Sequence, residues 1–174
     1  MLKKIITIVI IFFLNIPIFS QSYKNGMNDL EFGTTLEEFL SEYEDFHEGS
    51  AGTDLKNIGV STYLRRIDVM RGQAIWVHFF ENKFYKADVW QGYVNNTEID
   101  NIFRDIVSTY GKISRADEGR TNSNFYWFLN DNFVIHANIS LSDKSYYGRR
   151  MILKISYIEL QIEKRINNLL QRNK

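Results

Sequence analysis

Gln73-Ala74-Ile75-Trp76-Val77-His78-Phe79-Phe80-Glu81-Asn82-Lys83-Phe84-Tyr85-Lys86-Ala87-Asp88-Val89-Trp90 is the stretch on which the fold turns. Ile75, Val77 and Phe79 alternate with Trp76, His78 and Phe80, and a period of two belongs to a β-strand. Asn82-Lys83 makes a tight connection to a second strand, Phe84 to Tyr93, in which Tyr85, Ala87 and Val89 share one face. Strands joined by so short a link pair antiparallel. Val60 to Met70, rich in β-formers, supplies a third strand ahead of them.

Working outward, Leu36, Phe39, Leu40 and Tyr43 recur at helical spacing. Thr35 with Glu38, or Thr34 with Glu37, fits a capping box at the start of that helix. Glu44 to Asn57 is acidic, contains Gly49 and Gly52, and reads as a loop. Beyond the three strands, Ile99, Ile102, Phe103, Ile106, Val107 and Tyr110 mark a second helix, with Asn96 or Thr97 as the cap and Gly111 at its end. After a polar loop from Ser114 to Ser123, Asn124–Leu129 and Phe133–Leu141 flank a hairpin turn at Asn130-Asp131-Asn132. Arg149–Tyr157 alternates again. Ile158, Ile162, Ile166, Leu169 and Leu170 then predict an amphipathic C-terminal helix. The order is α-βββ-α-βββ-α, a candidate internal repeat in order rather than in residue identity. The expected class is α+β, an antiparallel sheet with helices on one face.

The N-terminus addresses location. Lys3 and Lys4 precede an apolar run from Ile5 to Phe19 that ends at Ser20-Gln21-Ser22. This is the build of a signal peptide, with residues 1–20 removed between Ser20 and Gln21. The competing reading is a retained transmembrane helix, but the run falls short of the roughly 20 residues a span needs. Pro17 also interrupts it. Residues 21–174 then form one exported domain, periplasmic or secreted. The chain has no cysteine, so disulfides, thiolate ligands and a lipid-modified export signal are excluded. Of its 174 residues 44% are hydrophobic, enough for a packed core. Formal net charge is +0, and without Lys3 and Lys4 it is about −2, which offers no long-range pull on nucleic acid or anionic membranes. The expected mature protein binds no nucleic acid and has no membrane attachment.

Two further landmarks carry a resemblance. Leu30-Glu31-Phe32-Gly33-Thr34-Thr35-Leu36-Glu37-Glu38-Phe39 looks like the helix start of certain exported bacterial domains. Phe79-Phe80-Glu81-Asn82-Lys83-Phe84-Tyr85 followed by Thr109-Tyr110-Gly111-Lys112 resembles their strand, turn, strand and helix ending in Tyr-Gly-Lys. The layout is similar to that of β-lactamase-inhibitor-protein-like domains and their envelope relatives. That resemblance implies protein binding or envelope assembly and contributes no catalytic residue.

Phosphate-binding, nucleophile-elbow, zincin and EF-hand motifs do not occur, and no cofactor is implied. His47, His78 and His136 are the only histidines, and none is spaced from another ligand as in a metal site. Alternation does place Trp76, His78, Phe80, Trp90, Tyr126, Phe128 and His136 on the sheet face opposite the most aliphatic residues. Lys86, Asp88, Asn138 and Lys154 are interspersed among them. Large rings with a few polar groups suit a protein- or peptide-binding surface. The competing reading is a second core layer. The expected function is accordingly a non-catalytic exported binding module. The alternative is a small periplasmic hydrolase using His78, His136 and Asp88.

Overall fold

The computed structural model describes residues 26–142 and 150–172, so the signal peptide expected over residues 1–20 lies outside the described residues. The class is the expected one, α+β with one large antiparallel sheet. The strands are β1 (Gly26–Met27), β2 (Leu30–Glu31), β3 (His47–Glu48), β4 (Val60–Asp68), β5 (Gln73–Phe80), β6 (Lys83–Val94), β7 (Arg115–Asp117), β8 (Asn122–Phe128), β9 (Phe133–Ser142) and β10 (Arg150–Glu159). The helices are α1 (Leu36–Glu42), α2 (Thr53–Asn57), α3 (Asn96–Tyr110) and α4 (Leu160–Arg172). None of these helices is long and apolar enough to cross a membrane.

Eight strands form the sheet, in the order β3-β4-β5-β6-β10-β9-β8-β7. Each half runs from a short edge strand to a long central one, and the halves meet where β6 pairs antiparallel with β10. The short elements β3, α2 and β7 fall in the two stretches read as loops. They are too short to impose a hydrophobic period.

Local chemistry explains the longer elements. The Thr35 hydroxyl accepts from Glu38 N at 3.2 Å, and the Glu38 carboxylate accepts from Thr35 N at 2.9 Å, completing the cap of α1. Thr35→Ala is expected to lower stability by about 1 kcal/mol in urea denaturation. The cap of α3 is Asn95, one residue ahead of Asn96: its side chain accepts from Glu98 N at 3.0 Å and Glu98 returns the bond. Between β5 and β6, Glu81 and Asn82 take positive φ values of 50° and 66°, as a two-residue hairpin turn requires. Asn130 closes the β8–β9 turn by accepting from Asn132 N and Phe133 N.

One face of the sheet packs against α1 and α3. Phe39 joins Val77, Phe79, Phe84 and Ala87 in one cluster. Ile99, Ile106 and Tyr110 meet Trp127, Ile135, Ala137, Leu153 and Ile155 in another. The expectation of helices on a single face fails for α4. Its Ile162, Ile166, Leu169 and Leu170 pack with Val60, Phe80 and Tyr85, and strand register puts Val60 and Phe80 on the opposite side from Phe79. A bulge opposite His78 and Phe79 lets Tyr85 join that cluster rather than share a face with Ala87 and Val89. The apolar surface so created is what α4 covers. Lys86–Glu163 at 3.2 Å and Arg165 Nη1 to Glu81 Oε2 at 2.9 Å flank the contact.

Candidate functional site

Strand register brings all seven predicted residues to one face. Trp76, His78 and Phe80 come from β5, Trp90 from β6, Tyr126 and Phe128 from β8, and His136 from β9. They do not share one environment. Phe80 is 3% exposed beneath α4 and belongs to a core cluster, with the Arg165 guanidinium 5.0 Å from its ring centre. Trp76 is half-buried against Gly49, where a β-carbon would press on the indole. Trp90 and Phe128 are 37% and 50% exposed. The face is thus a second core at the α4 end and open further along.

On the open part the rings are already ordered. Tyr126 lies parallel to His136, with centroids 4.6 Å apart and planes at 5°, and Phe128 stacks on Tyr126 at 5.9 Å. Arg115 sits over the Tyr126 ring and Lys154 over Trp90, each at 5.5 Å. Asn124 Oδ1 accepts from Asn138 Nδ2 at 2.8 Å and lies 2.9 Å from His136 Nε2, so that nitrogen carries the proton. Burial, reinforced by Lys154, holds the His136 pKa below the ordinary imidazole value, and the ring is neutral at pH 7.

Between the two parts lies a buried polar network. Asp88 accepts from Ser156 Oγ at 2.6 Å and pairs with Lys154 Nζ at 3.1 Å. His78 Nδ1 meets Thr62 Oγ1 at 3.1 Å. Its Nε2 is 3.4 Å from Asp88 Oδ2 but off line for a hydrogen bond, and it has no other partner among the described residues. Burial opposes the Asp88 charge, yet His78, Lys86, Ser156 and Lys154 together hold its carboxyl well below the usual carboxylate range. Thr62, His78 and Asp88 follow one another in the order of a nucleophile, base and acid. However, Thr62 is 2% exposed, so a substrate does not reach its hydroxyl. His136 is bonded to Asn124 and stacked on Tyr126, and does not complete that constellation.

Thr62 and Ser156 are the participants sequence reading passed over. The signal available was small hydroxyl residues at positions in phase with His78 and Lys154. Beside the network, His78, Tyr85, Lys86, Glu163 and Ile166 line a groove of about 800 Å³ under α4.

Fold and face together define an α+β protein with an ordered aromatic and amide surface on one half of its sheet. No family model, curated protein or solved structure matches this chain.

Proposed function

We propose that the protein is an exported, non-catalytic module that binds another protein or a peptide through the open half of its sheet face. The observation that carries this reading is the partly exposed row of His136, Tyr126 and Phe128, fixed in mutual stacks before any partner arrives, with Trp90 on the same face under Lys154. Rings held this way lose little conformational entropy on binding, while each buries a large area. The neighbouring amides of Asn122 and Asn138 add hydrogen-bonding capacity at the margin. The resemblance carried by the α1 start and the Tyr110-Gly111-Lys112 helix end favours the same role. The hydrolase alternative is less favoured, because the hydroxyl nearest His78 is buried.

Cross-linked pull-downs from an envelope fraction of the producing cell provide the test. A Trp90→Ala/Phe128→Ala variant, with both positions exposed and its fold checked by circular dichroism, is expected to recover about tenfold less of a specific partner than wild type. Equal recovery by both proteins overturns the reading.

A further inference from the structure

Arg65-Arg66-Ile67-Asp68-Val69-Met70-Arg71 forms the end of β4 and most of the turn into β5. Ile67, Val69 and Met70 are 55%, 72% and 91% exposed. A single exposed apolar side chain is ordinary, but three within four residues on a held turn call for a reason. The turn is held on several sides. Asp68 Oδ1 accepts from Arg71 N at 3.1 Å, and Val69 O accepts from Gly72 N at 3.3 Å. Arg71 O accepts from Tyr93 N of β6 at 3.1 Å. The apolar side chains are thus presented by an ordered backbone.

We propose that this tip docks on an anionic lipid surface. Its chemistry is layered as such a surface is. Val69 and Met70 occupy the turn itself, while Arg65 and Arg66 stand on the strand behind them. In a bilayer the hydrocarbon likewise lies beyond the phosphate layer, so apolar tip and cationic collar reach their complements together. Within the segment three arginines stand beside a single aspartate, whose carboxylate is engaged in the turn. Arg65 pairs with Asp45 at 2.8 Å and Arg71 with Glu98 at 3.5 Å. Both pairs are exposed, and such pairs are weak enough to exchange a carboxylate for a lipid phosphate. Arg66 is exposed as well. Because the whole chain has no net charge, the contact is short-range and made by the tip alone. It goes beyond the peptide-binding role of the sheet face and does not depend on it.

The absence of cysteine makes the test site-specific. The full chain carrying Met70→Cys is labelled with an environment-sensitive fluorophore and titrated with vesicles of phosphatidylcholine alone or mixed with phosphatidylglycerol. A second preparation carries the label through Val107→Cys on α3. The Met70 label is expected to shift to the blue on mixed vesicles and much less on neutral ones, while the Val107 label stays unchanged. Adding Ile67→Ser/Val69→Ser is expected to raise the half-maximal lipid concentration about tenfold. An unshifted Met70 label overturns the proposal and makes an apolar pocket of a partner protein the occupant to seek. A shift indifferent to lipid charge and to the serine substitutions overturns it too.

Discussion

Gly92→Ala is expected to lower stability by about 3–5 kcal/mol, because it combines backbone strain with a clash that has no soft partner. Gly92 has a φ of +65°, and a β-carbon there would overlap the carbonyl oxygen and carbon of Arg71. Those atoms are backbone, and Arg71 O is the acceptor for Tyr93 N, so relief requires lifting the β4–β5 turn off β6. Gly59 is the control: its φ is +86°, but nothing lies within 4 Å of the added carbon. Gly59→Ala then carries conformational strain alone, about 1–2 kcal/mol. Urea denaturation of the two variants measures the difference. Equal losses would show that the turn is not seated on Gly92.

Asp88→Ala is expected to cost about 3 kcal/mol, since it leaves Lys154, His78 and Ser156 facing a site without its charge. Lys154 is partly exposed and regains some hydration, which keeps the loss from being larger. Asp88→Asn retains an oxygen for Ser156 and should cost less. The pH dependence has a fixed sign. The folded-state pKa of Asp88 is depressed, so on acidification the unfolded chain takes up its proton first. Its stabilisation is full above the unfolded value of about 4 and is lost as pH falls through the lower folded value. The gap in unfolding free energy between wild type and Asp88→Asn should therefore close as the solution is taken below about pH 4. A gap that stays constant from neutral into acid would mean that the charge contributes nothing.

Much of the architecture was legible because it is written in local chemistry. The alternation through β5 and β6, the Thr35–Glu38 box and the Asn130 turn each act over a few residues. The face assignment of Trp76, His78, Trp90, Tyr126 and His136 follows from the same two-residue period. What alternation cannot carry is a change of phase. The bulge at Tyr85 sends that ring to the α4 side, and with it the surface on which α4 settles. The apolar stripe on α4 is used internally for that reason. The Asp88 network was only half visible, because its partners join residues 68 positions apart. Charge balance hid the β4–β5 tip, where arginines concentrate although the chain as a whole is neutral.

The seam between β6 and β10 governs how this chain reaches its fold. Each half of the sheet is a meander of neighbouring strands that can zip up over short loops, whereas the seam closes only after nearly everything between has found its place. A chain halted before β10 would carry β6 as a bare edge, with Asp88 lacking its Ser156 and Lys154 partners. Pairing of β10 with β6 is therefore the step that removes this bare edge and joins the two halves of the sheet.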